Sequence, residues 1–116
     1  MDKILIIDND PTTRRTLRQT FVSSGFDVAM AADGAAAMTM FNAEMPTLVI
    51  LEPRTPGFAG QDFCREIRHR SLRVPILVLS AAKAEVDKVL LLELGADDYV
   101  TKPFSPRELL LSLIHI

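Results

Sequence analysis

The 116-residue sequence has no tryptophan, one tyrosine and one cysteine. A lone cysteine excludes an internal disulfide, and Cys64 has no partner at metal-ligand spacing, so it reads as a buried thiol. No apolar run approaches the roughly 18 residues that a membrane span needs, and the opening Met-Asp-Lys lacks the layout of a secretory signal. Charge of either sign is not in excess: 13 basic against 15 acidic residues leave a formal net charge of −2. That balance carries no footprint of a nucleic-acid binder, so neither DNA nor lipid contact is expected of this segment. A cytosolic protein is the expectation. What is present is ordinary for a globular α/β chain, 48% hydrophobic and 24% charged, and residues 1–116 fit one domain with a single real core.

Five short apolar runs recur along the chain: KILII (3–7), DVAMA (27–31), TLVIL (47–51), PILVL (75–79) and DYV (98–100). They read as strands. Between them lie pairs at helical spacing: Leu17 and Phe21, Met38 and Phe41, Phe63 and Ile67, then Val86, Val89 and Leu90. Gly25 and Gly95 punctuate helix ends, and Ser105-Pro106-Arg107-Glu108 is a capping box with proline at its first helical position. Met30, Met38, Met40 and Met45 are expected to fill the core around the second strand and second helix. Strict alternation of near-continuous apolar strands with helices predicts a doubly wound, five-stranded parallel sheet covered on both faces. In such sheets a site forms beyond the carboxyl ends of the strands, where the strand order reverses.

The polar residues at those ends are Asp8, Asn9 and Asp10 after the first strand, Glu52 after the third, Ser80 after the fourth, and Lys102-Pro103 after the fifth. Packing does not explain polar groups arriving at one edge from four strands. Together they offer oxygens for a hard cation, a hydroxyl for hydrogen bonding and an ammonium able to neutralise an anion. A carboxylate at Glu52, the tip of a buried strand, is the least structural of them.

The runs ILIIDNDP, LVILEPRTPGFAG, PILVLSA and GADDYVTKPF, in this order and spacing, resemble the receiver domain of bacterial response regulators over essentially the whole chain. GADDYVTKPF followed by SPRELL looks most like receivers that precede a winged-helix DNA-binding domain, so such an effector is expected in the full-length protein. The resemblance implies a flavodoxin-like sheet of order 2-1-3-4-5. It also implies that an aspartate at the position of Glu52 takes a phosphoryl group from a histidine kinase, with a divalent metal held by the acids after the first strand. Ser80 then matches the hydroxyl residue that moves to the phosphoryl group. Tyr99 matches the aromatic residue that turns inward on activation, and Lys102 the pairing lysine, its bond to Pro103 being cis.

Two departures sit where phosphorylation takes place. Asn9 replaces an aspartate that in the family binds metal directly, and Glu52 replaces the acceptor. The metal set becomes Asp8, Asn9 and Glu52, and each lost charge weakens a hard-cation site, so magnesium binding is expected to be weak or absent. Asp10 is a candidate replacement ligand, although its family counterpart lies further out. The added methylene of Glu52 shifts its carboxylate by about 1 Å, an error that can cost on the order of a hundredfold in rate. The same extension carries the charge toward Ser80 and Lys102, where a phosphoryl oxygen would sit. Glutamate there imitates the product in part, with one negative charge standing in for nearly two. Arg54 is a second cation within sequence reach of Glu52, and Pro53 stiffens the loop between them.

In the winged-helix subclass, receivers pair as homodimers through the fourth helix, fifth strand and fifth helix. Lys88, Asp98 and Glu108 are kept at interface places. Ser112 stands where the arginine partner of Asp98 is usual, Ile114 replaces a common basic residue, and Leu91 replaces a position often small. That face is expected to be more apolar and less ionic than in relatives. The arginines Arg14, Arg15 and Arg18, and the set Arg65, Arg68, Arg70 and Arg73, read as exposed basic helix faces. His69 and His115 lack companions for a metal. Two competing functions remain: a conventional receiver switched by a histidine kinase, and a haloacid-dehalogenase-like phosphatase with Asp8 as nucleophile, since ILIIDNDPT also matches DxDxT. A phosphorylation-independent, non-enzymatic receiver is the preferred expectation, because Asn9 and Glu52 depart together.

Overall fold

The computed structural model describes residues 2–57, 59–70, 73–81 and 85–114. Strands β1 (Lys3–Ile7), β2 (Asp27–Ala31), β3 (Leu48–Leu51), β4 (Ile76–Ser80) and β5 (Asp98–Thr101) alternate with helices α1 (Pro11–Ser23), α2 (Gly34–Glu44), α3 (Gly60–His69), α4 (Glu85–Glu93) and α5 (Pro106–Ile114). The strands form one parallel sheet in the order β2-β1-β3-β4-β5, the doubly wound, flavodoxin-like order that the resemblance implies. Because side chains alternate across a pleated strand, β1 sends Leu5 and Ile7 to one face and Ile4 and Ile6 to the other. Leu5, Ile7, Val49, Leu51 and Val78 pack beneath Phe41, Phe63, Ile67 and Leu91, so α2, α3 and α4 cover that face. Ile4, Ile6, Ile50, Leu77 and Leu79 pack beneath Leu17, Phe21 and Leu109 of α1 and α5.

Local chemistry fixes the helix ends. The Asp10 carboxylate caps α1 by accepting from Thr12 N–H at 3.1 Å, with Pro11 at the first helical position. Ser105 Oγ accepts from Glu108 N–H at 3.3 Å, the forward half of the capping box. Gly95 closes α4 at φ +116, where a Cβ would meet Arg68 Cγ at 2.5 Å, so both conformation and space require glycine.

Four expectations need correction. Strand 4 runs one residue later than PILVL: Pro75 has no N–H to give the ladder, and Ser80 pairs with Thr101 as the last strand residue. On α4, Val89 and Leu90 are exposed at 47% and 37%, whereas Leu91 is 2% exposed in the core beside Tyr99. The VLLL run has apolar residues all round, so spacing alone does not pick its buried face. Leu91 is therefore not a surface interface residue. Met38 and Met40 pack against the core, but Met30 is exposed, and so is Met45 at 80%, placed by its left-handed C-cap position outside α2. Arg68 is not a solvated surface charge: its guanidinium donates to the carbonyls of Gly95 and Val74 and pairs with Asp97 at 3.0 Å. The side chains of Val86 and Ile114, and all of His115, lie outside the described residues.

Candidate functional site

The strand order reverses between β1 and β3, and the ladder continues one residue past each of them. Asp8 N–H donates to Ala31 O at 3.1 Å and Glu52 N–H to Ile7 O at 2.8 Å. Sheet geometry thus plants both carboxylates side by side at the carboxyl edge, and both are buried. After Glu52 the chain turns at once. Pro53 takes the second position of a turn closed by Thr55 N–H on Glu52 O at 3.1 Å, and the buried Thr55 hydroxyl donates to the same carbonyl at 2.8 Å.

This turn swings the Arg54 N–H back onto the Glu52 side chain. Glu52 Oε1 accepts from Arg54 N–H at 2.9 Å and from the Ser80 hydroxyl at 3.0 Å. Oε2 accepts from Ala81 N–H at 3.3 Å and faces Lys102 Nζ at 3.4 Å. Two backbone amides, a hydroxyl and an ammonium converge on one carboxylate, an arrangement that in general stabilises an oxyanion. Lys102 also pairs with Asp8 Oδ2 at 2.8 Å, while Asp8 Oδ1 accepts from Asp10 N–H at 2.9 Å. Among the described residues no buried side-chain nitrogen or oxygen lacks a hydrogen-bond partner. The Lys102–Pro103 peptide is cis, as expected.

Sequence reasoning brought together Asp8, Glu52, Ser80 and Lys102, and the structure joins all four. Tyr99 lies inward, buried against Leu91 in the adjoining core. Asn9 is exposed and makes no part of the cluster described above. Asp10 is spent on α1: beyond its N-cap bond it accepts from the Thr13 hydroxyl at 2.8 Å. Those bonds, the Thr13 hydroxyl first and the Thr12 amide second, hold its carboxyl below the ordinary aspartate range. Arg54 is exposed and contributes its backbone amide, so the guanidinium ion pair considered for Glu52 is not among the described ion pairs. Lys88 and Glu108 are exposed. Asp98 is held within the chain, Oδ1 accepting from Tyr99 N–H at 2.8 Å and Oδ2 from the Ser112 hydroxyl at 3.3 Å. Sequence reasoning missed the Arg54 and Ala81 amides, since any residue type carries an N–H. It also missed Thr55, whose signal was the Pro53 turn, and Arg14, whose guanidinium donates to the Asp8 carbonyl.

The fold and this site define a signalling receiver. The response regulator receiver domain family matches residues 4–114, and the chain belongs to that family. It is 45% identical over 106 residues to the alkaline phosphatase synthesis transcriptional regulatory protein PhoP of Bacillus subtilis, covering 91% of this chain and 44% of PhoP. It is also 45% identical over 108 residues to the probable transcriptional regulator ycf27 of Porphyridium aerugineum, covering 93% of this chain and 45% of that one. The chain thus spans under half the length of these relatives. Among solved structures, the BeF3-activated receiver domain of Klebsiella pneumoniae RstA superposes with TM-score 0.91 at 30% identity, covering 98% of this chain and 97% of that one. A two-component response regulator from Clostridium difficile superposes with TM-score 0.93 at 24% identity, covering 99% and 94%, a likeness of fold.

The family implies a divalent cation at the acidic edge, and the residues present do not fit one. Asp8 gives one oxygen to the Asp10 amide and the other to Lys102, Asp10 is committed to α1, and Asn9 is neutral. Among the described residues no group of three His, Cys, Asp or Glu side chains is placed to hold a metal. Nor is any described helix long and apolar enough to cross a membrane.

Proposed function

We propose that this receiver works without phosphorylation, its own Glu52 carboxylate holding the site in the arrangement a phosphoryl group would otherwise impose. The observation that carries the reading is the set of donors on that carboxylate: Arg54 N–H, the Ser80 hydroxyl, Ala81 N–H and Lys102. A trigonal carboxylate with one charge reproduces part of what a phosphoryl dianion offers, and the added methylene of Glu52 supplies the reach. Ser80 engaged and Tyr99 turned in are the on-like positions, so the module is set toward its active form. It acts as a cytosolic, non-enzymatic part of a longer transcription regulator with a winged-helix effector, pairing as a homodimer through α4, β5 and α5. That face is more apolar than ionic: Val89, Leu90 and Leu111 are exposed, and Asp98 is satisfied by its own Ser112.

A conventional switch driven by a histidine kinase is the second reading, favoured by the 45% identity to PhoP. Sedimentation of the protein with and without acetyl phosphate and Mg2+ separates the two. The self-association constant is expected to be the same in both; a stronger association on adding acetyl phosphate would overturn the first reading.

A further inference from the structure

Arg14 read in the sequence as one of several exposed helix charges, yet it is half-buried and its Nη1 donates to the Asp8 carbonyl at 2.8 Å. It thereby bridges the first turn of α1 to the end of β1, across the loop that carries Asn9 and Asp10. We propose that Arg14 and Lys102 together take the place of the divalent cation in this pocket, with Arg14 the positioning residue that closes the loop against one.

Charge supports this first. Two buried carboxylates, Asp8 and Glu52, face two fixed cations, Lys102 on their side chains and Arg14 on the Asp8 carbonyl. The third acid, Asp10, has both oxygens turned to α1. Counting Asp10, three acids against these two cations leave an arriving dication only one net negative charge, and hard-cation affinity follows the charge count of the ligands. Lone pairs support it next. The Asp8 carbonyl is taken by Arg14, Oδ1 by the Asp10 amide and Oδ2 by Lys102, so each oxygen of that residue already has a donor. A metal approaching Oδ2 would come against the like charge of the Lys102 ammonium and compete with a charge-assisted hydrogen bond, among the stronger polar contacts a protein makes. The inference goes beyond the proposed function, since it concerns the cation alone and holds whatever Glu52 does with phosphate.

The test is an Mn2+ titration followed by paramagnetic broadening of the Asn9 and Asp10 amide resonances, in the parent protein, Arg14→Lys and Arg14→Gln. Arg14→Lys keeps the charge and is expected to match the parent. Arg14→Gln is expected to broaden at an Mn2+ concentration about tenfold lower, the order that one unit charge a few ångströms from a dication contributes. The same comparison in an Asn9→Asp background raises metal affinity enough to be read in every protein, and the double variant should again bind about tenfold more tightly than Asn9→Asp. Equal broadening in the presence and absence of the Arg14 charge, or none in any protein, would overturn the assignment. Acetyl phosphate plays no part in this readout, so its outcome is separate from that of the proposed function.

Discussion

Glu52→Gln keeps the shape of the side chain and removes one acceptor, which makes it a sharp probe of the donor set. Both carboxylate oxygens of Glu52 are occupied by donors: Arg54 N–H and the Ser80 hydroxyl on Oε1, Ala81 N–H and Lys102 on Oε2. A glutamine must aim its NH2 at one of those two pairs, whichever way it is turned. Oriented to lose least, it faces the longer contacts, so the Ala81 amide loses its acceptor and Lys102 meets a donor. The relieved repulsion between Asp8 and Glu52 and the lost attraction of Lys102 for Glu52 at 3.4 Å are each about 4 kcal/mol at an effective dielectric of 20, so they nearly offset one another. The unsatisfied buried amide then decides the sign, at a cost of about 1–3 kcal/mol. The net expectation is a loss of about 2 kcal/mol. For a chain of 116 residues the unfolding entropy scales so that this lowers Tm by about 8 °C. Urea unfolding followed by far-UV circular dichroism measures it, with an unchanged m value required for the comparison. A variant as stable as the parent, or more so, would mean that like-charge repulsion outweighs the four contacts and that the donors do not hold Glu52 in place.

Two further outcomes follow from other parts of the structure. Leu91→Ala should cost about 2–5 kcal/mol by leaving a cavity beside Tyr99, while Leu90→Ala, one residue earlier and exposed, should stay within about 0.5 kcal/mol; equal effects in denaturant titrations would contradict the placement of α4. Asp10 has its carboxyl held below the ordinary value of 3.8 by Thr13 and Thr12. Its contribution is fully present above that value and is lost as pH falls through the lower, folded one. Asp10→Asn should therefore flatten the fall in stability on acidification below about pH 4, and an unchanged acid limb would count against the cap.

The fold was legible because strand and helix periods alternate cleanly: Ile4 and Ile6 against Leu5 and Ile7 is a two-sided strand, and Leu17 with Phe21 is one helix stripe. The site was legible where polar side chains interrupt apolar strand ends, as at Asp8, Glu52, Ser80 and Lys102. Three things were not. The face of α4 was hidden because Val89, Leu90, Leu91 and Leu92 are apolar all round, and hydrophobicity without period selects no direction. The role of Arg14 was hidden because its partner is a carbonyl, which no residue letter announces. Half of the donors on Glu52 are backbone amides, and their convergence depends on the turn from Pro53 to Thr55 and on the end of β4, geometry that appears only once the sheet is assembled.

Under the proposed function, Glu52 fills the acceptor's place without accepting. Intact-mass measurement after incubation with acetyl phosphate and Mg2+, run on the parent protein and on the Asn9→Asp/Glu52→Asp double variant, tests it most directly. The predicted result is no added mass in the parent and a gain of one phosphoryl group in the double variant. A stoichiometric phosphoryl gain in the parent would contradict it.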